Sequence, residues 1–368
     1  MDKKKILMIC NTSQNICTFR MPLIKKLQQE GYEVTTITFD NEYEESLKNE
    51  GIKLYYINDK NRSLNPFKIL SLKKRYYKII KEVQPDVVFT FQLKPNSFGA
   101  PAAKKAGVKN IYSMVEGAGD AFINKGLKWK LIKFVVKFLY RKAFKNSQKV
   151  FFLNNDDKIE FEQLKLVQPE QSVVVHGIGV DLEKFAFKKV NTNSNKFIMI
   201  ARMLKTKGIF EYCKCAELVK KTHSEAEFMY LGGEGSVKIE DIKAYIDNGT
   251  INYLGTTKDV RPYLEQSLIL MLPSYREGIP MTIMEAEAMG RGIIASNRVG
   301  CKDTVEEGVN GYLVEQQDVE EMAKRCVQIL ENKNLAVELG KNARKFAETN
   351  FDQKIINQQI FEIIKLKD

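Results

Sequence analysis

Histidine is nearly absent from this chain, with only His176 and His223 among 368 residues. The six cysteines (Cys10, Cys17, Cys213, Cys215, Cys301 and Cys326) form no CxxC and no Cys/His ligand spacing, which argues against a zinc site. Scattered cysteines in a chain this large fit a reducing compartment, so a cytoplasmic protein is expected. No apolar run approaches the ~20 residues that span a bilayer. The opening MDKKKILMICN is basic and then briefly apolar, without a small-residue cleavage site. It reads as a first β-strand rather than a signal peptide. A glycine-rich loop after that strand is missing too, since NTSQNICTFR (11–20) has no glycine, and no DxD stands in a suitable loop.

What is present describes a globular protein, with 44% hydrophobic and 28% charged residues. The length exceeds what one core usually holds, so two domains are expected. The net charge of +12 is uneven. Residues 1–190 carry 34 Lys and Arg against 20 Asp and Glu, whereas the remainder carries 24 against 26. A basic first half points to an anionic partner, although solubility alone accounts for part of the total.

Short β-branched runs alternate with helical periods in both halves. In the first half the strands are 4–10, 33–39, 52–58, 86–91, 110–115 and a closing strand at 149–154, with helices at 19–30, 67–83 and 98–106. A polar linker, 188–195, precedes strands at 196–202, 227–233, 251–255, 268–274 and 292–297, with helices at 208–222 and 238–247. The fold class is therefore α/β, with two doubly wound Rossmann-like domains facing a cleft. The expected division is 1–187, 188–350, and a C-terminal helix, 351–368, crossing back to the first domain.

In such sheets ligands bind outside the carboxyl ends of the strands. The stretch YREGIPMTIMEAEAMGRG (275–292) follows one of them and opens a helix at Pro280, whose N-terminus suits an anion. At 100° per residue Met281, Met284, Ala288 and Met289 share a face with Glu285 at its centre, and Glu287 is expected to face solvent. A carboxylate on an inward face needs a partner, and the vicinal hydroxyls of a ribose supply one. Glu277 borders the same loop and suits the neutral polyol part of a ligand. Arg202 and Lys207, in ARMLKTKG (201–208), lie in the loop after the domain's first strand, where their charges can neutralise a diphosphate.

These residues resemble a known family. Glu277-GIPMTIM-Glu285 resembles the E-x7-E motif of retaining nucleotide-sugar glycosyltransferases of family 4, which have the GT-B fold. Arg202 and Lys207-Gly208, GIGVDLEKF (177–185) and GVNGYLV (308–314) resemble further segments of that family. In the first half, FRMPLIKKL (19–27), SLNPF (63–67), KPNSFG (94–99) and VEGAGDAF (115–122) resemble the subgroup that adds N-acetylhexosamines to undecaprenyl-diphosphate-linked intermediates of capsule, O-antigen and related glycans.

The resemblance implies that Glu277 holds donor-sugar hydroxyls and Glu285 the nucleotide ribose. Arg202 and Lys207 would stabilise the leaving diphosphate, with backbone N–H groups across Gly278, Ile279 and Pro280. It also implies a UDP-sugar donor, a lipid-diphosphate-linked acceptor, retention of configuration, and no metal or other cofactor. Where many family members carry His-Gly, this chain has Glu116-Gly, making Glu116 a candidate for hydrogen bonding or base work. Asn11, Ser13, Asn15, Arg20, Lys94 and Asn96 are candidates for the acceptor side.

The stretch KGLKWKLIKFVVKFLYRKAFKNSQKV (125–150) holds nine Lys and Arg and no acid. Leu131, Phe134, Val135, Phe138 and Leu139 recur at helical spacing among Lys130, Lys133, Lys137 and Arg141, with Trp129 at the start. Two readings stay open: an interfacial helix on an anionic membrane surface, or a domain helix whose apolar stripe faces its own sheet. Nothing resembles a nucleic-acid module. The expectation is a glycosyltransferase peripheral to the inner face of a bacterial membrane, with other assembly enzymes as possible partners. The alternatives are a non-hydrolysing UDP-N-acetylhexosamine epimerase, which two histidines fit poorly, and a silent partner that binds sugar nucleotide or carrier lipid.

Overall fold

The computed structural model describes residues 3–58, 66–119, 122 and 126–366. The SLNPF stretch up to residue 65, and residues 120–121 of VEGAGDAF, lie outside them. The chain forms two compact units, Met1–Val175 with Lys354–Asp368, and His176–Gln353.

The first unit holds seven parallel strands in the order β3-β2-β1-β4-β5-β6-β7. These are β1 (Lys5–Ile9), β2 (Glu33–Thr38), β3 (Lys53–Tyr56), β4 (Val87–Phe91), β5 (Asn110–Val115), β6 (Lys149–Phe152) and β7 (Ser172–Val174). Ile6, Leu7, Met8 and Ile9 are all fully buried, as expected for a central parallel strand covered on both faces. The sheet does not close at β6: the half-buried SVV of β7, too short to stand out by periodicity, adds a further strand.

Two helices begin differently from their sequence pattern. A π-helical turn, Ile16–Arg20, leads into the helix Met21–Gln29, and another, Pro95–Gly99, leads into Ala100–Ala106. Such turns re-aim side chains and occur often at functional sites. The last helix, Gln353–Ile364, belongs to this unit: Phe361 meets Tyr32 edge to face at 6.4 Å, and Leu366 N–H donates to the Tyr32 hydroxyl at 2.8 Å.

The second unit repeats the plan with six parallel strands, β10-β9-β8-β11-β12-β13. They are β8 (Lys196–Ile200), β9 (Glu227–Leu231), β10 (Asn252–Tyr253), β11 (Ile269–Leu272), β12 (Gly292–Ser296) and β13 (Gly311–Val314). The unit begins before the polar linker, at His176. Val180 N–H donates to Phe351 O at 2.7 Å and Lys188 N–H to Met289 O at 3.2 Å, so the backbone of GIGVDLEKF is already tied to this half. In both sheets the strand order reverses beside the first strand, between β1 and β4 and between β8 and β11. Each reversal opens a crevice at the carboxyl edge.

Candidate active site

The second switch point is built by the loops after β8, β11 and β12, held together through backbone. Tyr275 N–H donates to Thr206 O at 2.8 Å, and Glu277 N–H to Val299 O at 2.9 Å. Two glycines permit the approach. Gly208 has φ 80°, and a Cβ there would lie 2.2 Å from Pro273 O. A Cβ on Gly300 would lie 2.5 Å from Glu277 O. Only glycine tolerates such contact together with left-handed backbone. Across this seam Lys207 and Glu277 form an ion pair, both side chains partly exposed. Arg202 stays exposed, and its Nε–H donates to Glu234 O at 3.2 Å.

Pro280 sits before the helix as its N-cap, and Met281–Ala288 are helical. Having no N–H, Pro280 cannot donate to an anion. This corrects the expected donor set: Gly278 and Ile279 precede the cap, and Met281 and Thr282 open the first turn. Gly278 is half-buried and Ile279 buried.

The second correction concerns Glu287, expected in solvent. It is 0% exposed, and its Oε1 accepts from Asn310 Nδ2 at 2.7 Å. No residue of the helix is exposed, because it packs on β11 and β12 and against the helix Lys333–Asn350, leaving Met281, Thr282 and Glu285 half-buried on one side. Burial raises the Glu287 carboxyl well above the usual carboxylate range, the Asn310 hydrogen bond working against that rise. Glu285 is the more open of the two. Desolvation nevertheless pushes its carboxyl up to about 7, with the Lys184 charge lowering it and Asp259 raising it. Among the described residues no ion pair ties up this carboxyl.

The first unit sorts its candidates. Ser13 is fully buried and spent on the fold, its hydroxyl donating to Asp40 and accepting from Tyr43 N–H at 3.1 Å. Asn96 is likewise buried, accepting from the Thr90 hydroxyl at 2.7 Å and donating to Met114 O at 2.8 Å. Both side chains are fully buried, so neither is presented to an acceptor. Asn11 and Asn15 are half-buried; Asn11 N–H donates to Gln92 Oε1 at 3.1 Å and Asn15 N–H to Thr12 Oγ1 at 3.1 Å. Lys94 places its ammonium 5.3 Å from the Phe39 ring centre. Arg20 is buried and ion-paired to Glu116.

The basic stretch forms the helix Leu127–Phe144. Val136, Tyr140, Ala143 and Phe144 are buried. On the opposite side Leu127, Leu131, Phe134 and Phe138 are 85%, 67%, 69% and 58% exposed. The expected stripe therefore divides, with Val135 and Leu139 half-buried and Trp129 also half-buried, off the exposed row. A recess of about 370 Å³ lies along this face, lined by Lys130, Lys133, Phe134, Lys137, Phe138 and Arg141. Two of its cations are engaged, Lys133 with Glu160 at 3.4 Å and Arg141 with the Lys165 and Leu164 carbonyls at 3.1 Å.

Lys184, Asp259 and Asn310 were not among the residues expected here. Lys184 lies within the quoted GIGVDLEKF and Asp259 in the loop after β10, so their place at strand exits was the available signal. Asn310 lies within the quoted GVNGYLV, but nothing in that pattern points to its contact with Glu287. Among the described residues no three His, Cys, Asp or Glu side chains group as a metal site, and no helix is long and apolar enough to cross a membrane.

Two Rossmann-like units of this topology define the GT-B class of glycosyltransferases. Residues 180–346 match the family model "Glycosyl transferases group 1" and residues 5–154 match "Glycosyl transferase 4-like". The chain belongs to this family and is a glycosyltransferase. It is 30% identical, over 96% of its length and 96% of the relative's, to N,N'-diacetylbacillosaminyl-diphospho-undecaprenol alpha-1,3-N-acetylgalactosaminyltransferase of Campylobacter jejuni. It is 27% identical, over 87% of its length and 82% of the relative's, to UDP-Gal:alpha-D-GlcNAc-diphosphoundecaprenol alpha-1,3-galactosyltransferase of Escherichia coli. A glycosyltransferase structure from Rickettsia africae matches with TM-score 0.79 at 23% identity, covering 99% of this chain and 98% of that one. Anabaena HepE, in complex with UDP and glucose, matches with TM-score 0.78 at 17% identity, covering 98% and 99%. At these identities the structural likeness establishes the fold.

Proposed function

We propose that this glycosyltransferase moves an N-acetylhexosamine-type sugar from a UDP-sugar to a polyprenyl-diphosphate-linked glycan, retaining anomeric configuration and using no metal. The observation that carries the donor side is the pairing of Lys207 with Glu277 at the second switch point, beside the N-terminus of the helix Met281–Ala288. A UDP-sugar offers both groups a better partner: diphosphate for Lys207 and Arg202, sugar hydroxyls for Glu277, ribose hydroxyls for Glu285. As the C1–O bond to the β-phosphate breaks, charge grows on that phosphate, where Lys207, Arg202 and the helix N-terminus stabilise it. The acceptor oxygen bonds C1 on the same face, and its proton passes to the departing phosphate oxygen. The two curated relatives are named for α-linked products, and the E. coli enzyme for a UDP-sugar donor. HepE was crystallised with UDP and with UDP-glucose.

The acceptor side of the proposal rests on both relatives' undecaprenyl-diphosphate acceptors and on the helix Leu127–Phe144. Its outward Leu127, Leu131, Phe134 and Phe138, bordered by lysines, suit the interface of an anionic leaflet. This would place the enzyme peripherally on the cytoplasmic face, where carrier-lipid glycans are built. The test is incubation with single UDP-sugars and an undecaprenyl-diphosphate-linked N-acetylhexosamine, with mass spectrometry of the lipid product. A mass increase of one N-acetylhexosamine from UDP-N-acetylhexosamine alone supports the reading; none from any UDP-sugar refutes it.

A further inference from the structure

We propose that Arg20 is a positioning residue for Glu116, its buried guanidinium fixing that carboxylate at the carboxyl edge of the first sheet, where it orients the acceptor. The inference rests on Glu116 being a substrate-facing group of the transfer reaction.

Three adjacent strands converge on Arg20. Cys10 directly follows β1, Phe91 ends β4 and Glu116 directly follows β5. The guanidinium carbon lies 4.3 Å from the Phe91 ring centre, and Glu116 forms the ion pair. The π-helical turn Ile16–Arg20 ends on this residue, turning it into the sheet edge instead of along the following helix. Arg20 is 2% exposed, while the Glu116 side chain keeps 24% of its surface open. One partner is thus anchored in the core and the other is presented outward.

A buried cation is costly, and a site needing only packing is served as well or better by an apolar side chain. Burial lowers the Arg20 pKa to about 10, which leaves it charged at neutral pH. The Cys10 thiol beside it is no counter-ion, because burial holds it neutral, up to about 12. Glu116 is the anion that Arg20 meets among the described residues. Arg20 meets Glu116 through Nη2, and a planar guanidinium held in the core fixes that contact more rigidly than a flexible ammonium does. The same edge carries Gln92 in left-handed backbone, φ 72°, with its side chain bonded to Asn11 N–H. Non-glycine strain of this kind gathers at functional sites.

The test is a kinetic double-mutant cycle on the full-length enzyme, with the donor and lipid acceptor that support transfer. Arg20→Gln should lower kcat about 10- to 30-fold while both KM values stay within about twofold, the mark of an interaction used only in the transition state. It should add less than about twofold in the Glu116→Gln background, because a residue acting through another has no effect once that one is gone. Arg20→Lys, keeping the charge without the fork, should fall between wild type and Arg20→Gln, and it carries the comparison if Arg20→Gln fails to fold. Additive losses, or a normal kcat in folded Arg20→Gln or Arg20→Lys, overturn the proposal. A normal kcat in Glu116→Gln instead removes the role of Glu116, and the proposal falls with it.

Discussion

Lys207 and Glu277 stand 70 residues apart in the chain and meet as an ion pair across the second switch point. Neither loop alone places the charges. The backbone hydrogen bond from Tyr275 to Thr206 and the close approach of Gly208 to Pro273 bring them together. A diphosphate entering this site competes with Glu277 for Lys207, so the two residues should have opposite effects on product binding.

Lys207→Ala should weaken UDP binding about tenfold, close to 1.4 kcal/mol, and slow transfer about 100-fold. Glu277→Ala should leave UDP binding unchanged or tighter, by lifting a repulsion, yet slow transfer at least as much. Calorimetry with UDP and steady-state kinetics separate the two effects. Weaker UDP binding by Glu277→Ala would mean that the pair is an obligatory part of the nucleotide site.

Glu285 ionises near neutrality, with a pKa of about 7 set mainly by desolvation. If the carboxylate accepts hydrogen bonds from the ribose, UDP affinity should rise between about pH 6 and pH 8, and Glu285→Gln should flatten that rise. The sign for folding is opposite. A carboxyl raised above its unfolded value contributes most stability below that value, and the contribution is lost as pH rises through about 7. Chemical denaturation should therefore show Glu285→Gln gaining on wild type as pH increases. A parallel pair of stability curves would mean that the carboxyl is better solvated than its surroundings imply.

Glu287 is buried against Asn310, and its carboxyl is raised well above the usual range. Glu287→Gln keeps the shape and the accepting oxygen, so at pH 7 it should be neutral within about 1 kcal/mol or stabilising. Glu287→Ala should cost about 2–4 kcal/mol by leaving a cavity. The advantage of Gln over wild type should grow as pH rises above the ordinary carboxyl range, since the unfolded state then releases a proton that the native acid keeps in the core. Loss of folding by Glu287→Gln in urea titrations would instead identify an ionised, tightly paired carboxylate.

The outward stripe of the helix Leu127–Phe144 gives a prediction with little stability cost. Each apolar side chain moved from water into an interface is worth up to about 1.5–3 kcal/mol. Serine at Leu131, Phe134 and Phe138 should reduce sedimentation with anionic vesicles more than tenfold, leaving the melting temperature unchanged or higher. Lys130→Gln with Lys137→Gln should weaken binding to phosphatidylglycerol vesicles by about 2 kcal/mol and leave binding to neutral vesicles unaltered. Equal vesicle binding by the serine variant would overturn the interfacial reading of that face.

The strands other than β7 and β13, their parallel arrangement and the switch-point loops were legible in the sequence because they depend on local pattern: apolar runs, turn residues, and helical periods between them. So was the placement of Arg202, Lys207 and Glu277 in loops that follow strands, and of Glu285 in the helix after one of them, because strand exits can be counted along the chain. What local pattern could not decide was environment. An ideal helical wheel gives Glu287 a solvent side, but the neighbouring helix Lys333–Asn350 removes it. The same wheel cannot tell which stripe of Leu127–Phe144 turns inward, and the fold buried Val136 and Tyr140 while leaving Phe134 and Phe138 outside. Ser13 and Asn96 looked available until their hydrogen bonds were placed, and Arg20 met Glu116 only when β1, β4 and β5 stood side by side. Periodicity is a property of neighbours along the chain; burial and pairing belong to neighbours in space, and at this site those come from distant segments.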